Sequence, residues 1–300
     1  MTLFEAASIN RFQKTRLAPT PSGYLHLGNA LSFAVTTALA RKTGAKILLR
    51  IDDIDRDRVN PLYVQDIFYT LNFLEIPWDE GPRSYAEFEK EWSQRYRLEL
   101  YQKALQYLRE HDEVFACTCS RAQVRSVNPG DIHPGTCRSK QVSLDTPDSA
   151  WRLKTERASE LMVKTLKDSL VKTSLPAGMT DFVVRKKDGY PSYQLTSLID
   201  DLHFGIDLVV RGQDLWHSTL AQLYLSQKLG ADFDKVTFYH HPLIEISGKK
   251  LSKSAGDTSI KYLRESGKKP AEIYSELAGM LGKSRQISNW AELAGLVNGN

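Results

Sequence analysis

No apolar run in this chain approaches the ~20 residues needed to cross a bilayer, so no membrane span is expected. Cysteine is scarce: three residues in 300, an odd count that builds no disulfide framework. The N-terminal Met-Thr-Leu-Phe-Glu-Ala-Ala is too short and too acidic for a secretory signal. These absences together point to the cytoplasm. No repeat at a fixed period and no low-complexity segment is visible. Acid is nearly missing from residues 1–50, which hold one carboxylate, Glu5, against seven Lys/Arg; residues 51–91 reverse this, with eleven acids and four bases. Such asymmetry suits an anion site beside an acidic surface, although a solvated mix of faces would produce it too. Net charge is +4 and the pI about 8.8, compatible with nucleic acid without demanding it.

What is present is an ordinary globular composition, 41% apolar and 25% charged, long enough for one large domain or two smaller ones. Lys14 to Ala18 reads as a strand stopped by Pro19. Ala30 to Lys42 carries apolar residues at 31, 34, 35, 38 and 39, a helical period, and Gly44 closes it. Ile47 to Ile51 is a buried strand by composition. Strand, turn, helix and strand make a βαβ unit and predict a parallel sheet. Helices are expected at about 61–74 and 91–111. Periodicity is lost over residues 117–150, where Cys, Pro, Gly and Ser accumulate. Strands resume at Asp181–Arg185 and Ile206–Val210, a helix is expected at 214–229, and strands at Val236–Tyr239 and Leu243–Ile246. From residue 258 the pattern is helical. The implied architecture is an α/β domain in two halves (1–112 and 181–256), an insertion (113–180) and a helical C-terminal segment (257–300).

Residues 16–29 read Arg-Leu-Ala-Pro-Thr-Pro-Ser-Gly-Tyr-Leu-His-Leu-Gly-Asn. A turn between a parallel strand and a helix is where a phosphate can sit, because the helix N-terminus offers free N–H groups and partial positive charge. Gly23 and Gly28 leave room for a ligand, and His26 can donate to a phosphate oxygen. Residues 247–256, Ser-Gly-Lys-Lys-Leu-Ser-Lys-Ser-Ala-Gly, set Lys250 and Lys253 in a polar, Gly/Ser-flanked stretch suited to closing over a ligand and neutralising a leaving pyrophosphate. Alone, each segment reads equally well as an ordinary structural turn or a solvated loop.

Taken together, in this order and more than 200 residues apart, His-Leu-Gly-Asn and Lys-Leu-Ser-Lys-Ser resemble the paired signatures of class I aminoacyl-tRNA synthetases. The form Arg-Leu-Ala-Pro-Thr-Pro-Ser-Gly-Tyr-Leu-His is similar to the glutamate branch of that class. Leu-Arg-Ile-Asp-Asp-Ile-Asp (49–55), Asp-Gly-Tyr-Pro-Ser-Tyr-Gln-Leu (188–195), Ile-Asp-Asp (199–201) and Val-Val-Arg-Gly-Gln-Asp-Leu (209–215) are similar to that branch as well. The resemblance implies a Rossmann-like parallel sheet split by the insertion. It implies a ligase that joins L-glutamate to ATP as glutamyl-adenylate, releases pyrophosphate, and passes the glutamyl group to a tRNA hydroxyl. Mg²⁺ is expected to accompany ATP. Catalysis falls to His26, Lys250 and Lys253, with Gly23, Gly28, Asn29 and Ser252 completing the ATP site. Arg16, Ala18, Thr20, Asp52, Tyr193 and Arg211 line the glutamate pocket. Asp52 stands where the family usually has glutamate, one methylene longer.

Cys117-Thr-Cys119 and His133-Pro-Gly-Thr-Cys137 offer three sulfurs and one imidazole within 21 residues. That donor set suits tetrahedral Zn²⁺, although C-x-C is tighter than the usual C-x₂-C and buried free thiols would have the same spacing. In short relatives of glutamyl-tRNA synthetase this segment is similar, Cys-x-Cys then Tyr-x₃-Cys around a zinc, with His133 at the tyrosine position. The resemblance thus implies a small zinc-containing α+β insertion. Only 46 residues follow Ser254, so no large anticodon-reading domain is expected. Length, Gln194 and Gly-Gln-Asp-Leu-Trp-His-Ser-Thr (212–219) make the chain similar to the truncated relatives that join glutamate to the queuosine base in the tRNA(Asp) anticodon. The nearer alternative is a short synthetase charging the 3′ end of tRNA(Glu), and the remote one a silent RNA-binding paralogue.

Overall fold

The computed structural model describes residues 11–127, 133–156, 159–166, 170–243, 245–246, 249–250, 259–283 and 285–296. Strand β1 (Lys14–Leu17), helix α1 (Leu27–Thr43) and strand β2 (Lys46–Leu49) form the expected βαβ unit, with β1 and β2 parallel from Lys14↔Lys46 to Leu17↔Leu49. His26 caps α1, and Gly44 ends it at φ 79°, donating its N–H to Ala40. Only a residue tolerant of the left-handed region closes a helix this way. Helix α2 (Pro61–Phe73) follows, started by the Asn60 side chain and a proline in the first turn.

The helix expected from residue 91 begins later, as α3 (Leu98–Glu110). The buried carboxylate of Asp53 accepts from Ser93 Oγ at 2.6 Å and Gln94 N at 2.7 Å, which holds Ser93 extended (ψ 143°) between a π-helical turn at Phe88–Trp92 and a 3₁₀ turn at Gln94–Arg97. Strand β3 (Val114–Cys117) then enters the segment that lacks periodicity. Among its described residues, helix α4 (Arg121–Val127) and the turns after residue 132 precede strand β4 (Ala150–Leu153). Strands β5 (Glu160–Lys164) and β6 (Leu170–Ser174) form an antiparallel pair, and β7 (Val183–Arg185) completes an antiparallel β3-β4-β7 sheet.

Helix α5 (Tyr193–His203) was not legible as a helix. Its buried positions mix Leu195 and Leu198 with Thr196, Ser197, Asp200 and Asp201, so the apolar stripe that marks a buried helix is broken by polar residues. Strand β8 (Leu208–Gly212), helix α6 (Trp216–Lys228) and strand β9 (Thr237–His241) make a second parallel unit. β8 lies beside β1. There the Asp207 carboxylate accepts from Gln13 N and Lys14 N at 2.8 and 2.9 Å, and Asp207 N donates to Lys14 O at 3.1 Å. The two units therefore stand edge to edge with their strand ends aligned. Two-residue strands β10 (Glu245–Ile246) and β11 (Lys249–Lys250) pair antiparallel. Helices α7 (Ile260–Glu265), α8 (Pro270–Met280) and α9 (Trp290–Leu296) follow.

One apolar core joins β1, α1, β2 and α2 to the C-terminal helices through Leu31, Ile47, Ile67, Ile273, Leu277 and Leu293. A second joins α3, α5, α6, β8 and β9 to the antiparallel strands through Tyr101, Leu153, Val163, Leu198, Leu220 and Phe238. Among the described residues, no helix is long and apolar enough to cross a membrane.

Candidate functional site

At the carboxyl ends of β1 and β8 a cavity of about 360 Å³ opens. This is the position at which open parallel sheets leave a crevice. Ten of the residues singled out in the sequence line it: Arg16, Ala18, Thr20, Gly23, His26, Gly28, Asn29, Asp52, Tyr193 and Arg211. They come from positions as far apart as 16 and 211, so folding has gathered them.

The helix end is built for an anion. His26 Nδ1 accepts from Gly28 N at 3.1 Å, and Asn29 Oδ1 accepts from His26 N at 3.0 Å. An accepting Nδ1 places the ring proton on Nε2, which makes His26 a donor. The first turn of α1 holds no acid, so nothing offsets its partial positive charge. A Cβ on Gly28 would lie 3.0 Å from the His26 ring, so glycine keeps this cap closed.

The opposite wall is a buried charge network. Arg50 grips both oxygens of Asp52 (2.7 and 3.0 Å) and donates to Asp201 at 2.6 Å. Arg16 Nε donates to the same Asp201 oxygen at 3.0 Å. Asp200 accepts from Arg97 (2.7 and 3.0 Å), from Tyr101 Oη at 2.7 Å and from Gln94 Nε2 at 2.9 Å. Burial pushes the Asp52 carboxyl up, against the pull of Arg50. Burial acts the same way on Asp200, but Arg97 and Arg50 outweigh it and hold that carboxyl below its ordinary value. Four buried arginines (Arg16, Arg50, Arg97, Arg211) thus face three buried aspartates (Asp52, Asp200, Asp201), the neighbouring buried Asp53 being paired with Arg56, which leaves one positive charge over in this network.

That charge resides on Arg211. Its Nη1 donates only to neutral oxygens, Gln222 Oε1 at 3.0 Å and Thr219 Oγ1 at 3.4 Å. Its Nε and Nη2 are buried with no hydrogen-bond partner among the described residues. Nη2 is 4.0 Å from Asp201 Oδ2, near enough for attraction and too far for a hydrogen bond. Burial brings Arg211 down to about 10, still charged at neutral pH. Next to it, a Cβ on Gly212 would lie 2.6 Å from Asp214 Oδ1, so a larger residue there would displace that carboxylate.

Lys250 lies in β11, its backbone paired with Glu245. Ser252 and Lys253 lie outside the described residues. Ser259, which resumes the chain, bridges to His26, and Ile260 N donates to Leu25 O at 2.7 Å. The chain at Ser259 and Ile260, five and six residues beyond the second signature, is therefore tied to the helix cap.

The cysteine cluster also assembles. Ligand atoms of Cys117, Cys119, His133 and Cys137 lie within 4.8 Å of one another, with Cys117 Sγ to His133 Nε2 and Cys119 Sγ to Cys137 Sγ each 3.3 Å. Four convergent donors at this spacing fit one tetrahedral metal ion. Burial raises the Cys117 thiol, but Arg152 outweighs it and the thiol is lowered; burial and the neighbouring thiols push Cys137 up to about 12. Gly135 N donates to His133 Nδ1 at 3.1 Å, so ligation through Nε2 requires the proton to move to Nδ1 and this contact to relax.

Sequence reasoning missed the role of Arg50, Asp201 and Gln222. Arg50 and Asp201 lay inside recognised motifs, which was their only signal; Gln222 had none, as one polar residue within a helical stretch.

The family model for the catalytic domain of class I tRNA synthetases (E and Q) matches residues 13–297. Glutamyl-Q tRNA(Asp) synthetase of Nitratidesulfovibrio vulgaris is 34% identical over 284 residues, covering 89% of this chain and 86% of that protein. Glutamate–tRNA ligase 2 of Syntrophus aciditrophicus is 30% identical over 297 residues, covering 93% of this chain and 60% of that protein. Among solved structures, glutamate–tRNA synthetase from Elizabethkingia anophelis shares the fold with a TM-score of 0.76 over 96% of this chain and 67% of its own, at 22% identity. With its fold, its paired signatures and these relatives in agreement, the chain belongs to the class I tRNA synthetases of the E and Q branch, a family of ligases.

Proposed function

We propose that this chain activates L-glutamate with ATP and transfers the glutamyl group to the queuosine base in the anticodon of tRNA(Asp). The observation that carries the glutamate reading is the buried arginine at the cavity wall, charged and with two N–H groups unpartnered among the described residues. A buried donor pair without an acceptor costs free energy that a ligand carboxylate returns. Glutamate, with two carboxylates and one ammonium, matches the single positive charge left over in the network.

In the first step an α-carboxylate oxygen of glutamate bonds to the α-phosphorus of ATP, and the bond to the pyrophosphate oxygen breaks. No protein nucleophile takes part. His26 Nε2–H and the first turn of α1 stabilise phosphate charge, and Lys250 and Lys253 neutralise the departing pyrophosphate together with Mg²⁺ brought by ATP. Gly23, Gly28, Asn29 and Ser252 accommodate the nucleotide. Arg16, Ala18, Thr20, Tyr193 and Arg211 hold glutamate. Asp52, clamped by Arg50, presents a carboxylate toward the ammonium. In the second step a hydroxyl of the acceptor attacks the glutamyl carbonyl and AMP leaves.

The queuosine acceptor is supported by the relatives called glutamyl-Q tRNA(Asp) synthetase, 32–35% identical over 89% of the chain. The relatives called glutamate–tRNA ligase favour a second reading, charging of the 3′ end. Labelled glutamate and tRNA(Asp) with and without queuosine separate them. Label is expected to require queuosine and to survive removal of the 3′-terminal adenosine; loss with that adenosine would establish the second reading. Glutamate-dependent pyrophosphate exchange tests the activation step by itself. Binding of a splayed anticodon base plus phosphates is expected to weaken as salt rises.

Cys117, Cys119, His133 and Cys137 hold a structural Zn²⁺ in this reading. Four protein ligands leave no open position for chemistry. Metal analysis is expected to find about one zinc per chain, and Cys119→Ser to lose it with a lower Tm. Zinc-free protein with a Tm indifferent to Cys119→Ser would remove the metal from the reading.

A further inference from the structure

Arg211 is the only member of the buried network whose hydrogen-bond partners are all neutral among the described residues. Arg16 and Arg50 both donate to Asp201, and Arg50 also to Asp52. What holds Arg211 apart from them is an amide. Gln222, fully buried on α6, accepts from Arg211 Nη1 at 3.0 Å and donates through Nε2 to Gln194 Oε1 at 3.3 Å. Gln194 Nε2 donates in turn to Ser218 Oγ at 3.1 Å. The amide orientation is thus set by its own chain of contacts.

A competing position for the guanidinium exists. Asp201 Oδ2 is buried, has no hydrogen-bond partner among the described residues, and lies 4.0 Å from Arg211 Nη2. A shift of about one ångström would turn this long ion pair into a hydrogen-bonded one. Arg211 would then resemble Arg16, its charge matched inside the protein. Gln222 supplies the pull in the opposite direction without supplying charge. The ring behind Thr219 adds none either, since burial and Arg211 bring His240 down to about 3.

We propose that Gln222, oriented by Gln194, is a positioning residue that keeps the Arg211 charge unmatched, and that it thereby sets the preference of the cavity for a carboxylate over its carboxamide isostere. The inference rests on glutamate being the substrate. The physical basis is that a neutral acceptor fixes a guanidinium in place but leaves its field for a ligand, whereas an anionic acceptor cancels that field in a low-dielectric site. Discrimination between glutamate and glutamine is a difference of two affinities, and only the anion gains from an uncancelled charge.

The test uses the full chain, with pyrophosphate exchange driven by glutamate or by glutamine and with glutamate binding measured by calorimetry. Gln222→Glu places a carboxylate at hydrogen-bond distance from Nη1. It is expected to raise the KM for glutamate about tenfold or more and to lower the glutamate-to-glutamine ratio of kcat/KM by a similar factor, with the KM for ATP unchanged. Gln222→Leu, which frees the guanidinium to close on Asp201, is expected to act in the same direction, and Gln194→Ala in the same direction but less. A folded Gln222→Glu or Gln222→Leu protein with an unaltered glutamate-to-glutamine ratio overturns the proposal, as does an equal rise in KM for glutamate and ATP with a lower Tm, the mark of a merely structural role. A wild-type protein that shows no glutamate-dependent exchange overturns the glutamate reading itself, and this inference with it, before any variant is made.

Discussion

Arg211→Ala is expected to lower kcat/KM for glutamate in pyrophosphate exchange by about 150-fold or more, equivalent to about 3 kcal/mol. The size follows from what is removed. The side chain is 3% exposed, and two of its donor atoms are buried without a partner among the described residues, so in the proposed complex they meet a carboxylate out of water. Truncation leaves that carboxylate desolvated and unpaired, which costs more than a surface ion pair ever contributes. Arg211→Lys is expected to recover little, since an ammonium cannot present two parallel donors and also reach Gln222. The KM for ATP is expected to stay near its wild-type value, because the helix cap at His26 is built from a different strand end. A loss shared equally between glutamate and ATP would place Arg211 outside the glutamate pocket.

Asp200→Ala is expected to be the most damaging single change to stability, about 3–5 kcal/mol by chemical denaturation at neutral pH. Asp200 is fully buried and serves Arg97, Tyr101 and Gln94 at once, with Arg50 3.8 Å away. Its removal strands the Arg97 cation and the Tyr101 hydroxyl between α3 and α5. The effect carries a pH signature. The folded-state carboxyl sits below its unfolded value of 3.8, so its contribution is complete above that value and fades as pH falls through the lower, folded one. The gap between wild type and Asp200→Ala is therefore expected to be full at pH 7 and to narrow below about pH 4. A gap that is small at pH 7, or independent of acid, would mean that the network relaxes around the missing carboxylate.

Asp52 lines the cavity, but its place in the charge network was not visible in the sequence. Its departure from the family's glutamate was visible by resemblance, but the departure does not leave a bare, shortened side chain. Arg50 takes both carboxylate oxygens, which makes Asp52 part of the wall in which Arg50 and Arg16 share Asp201. Arg50 and Asp52 are two apart in sequence, yet the third member, Asp201, is about 150 residues away. No local pattern joins them.

The chain's local patterns were sufficient for the βαβ unit, the α1 cap with its glycine stop, the parallel β8 and β9 strands and the paired signatures, because periodicity, capping and turn chemistry act over a few residues. The donor set Cys117, Cys119, His133 and Cys137 was legible for the same reason. Helix α5 was hidden because polar residues share its buried face with Leu195 and Leu198, and buried polar groups are stable only when distant partners arrive to satisfy them. The late start of α3 depended on Asp53, 40 residues away from Ser93. The surplus charge at Arg211 could not be read locally at all. Composition counts charges along the chain, whereas only the packed structure decides which arginine meets a carboxylate, which meets an amide, and which is left with donors to offer a ligand.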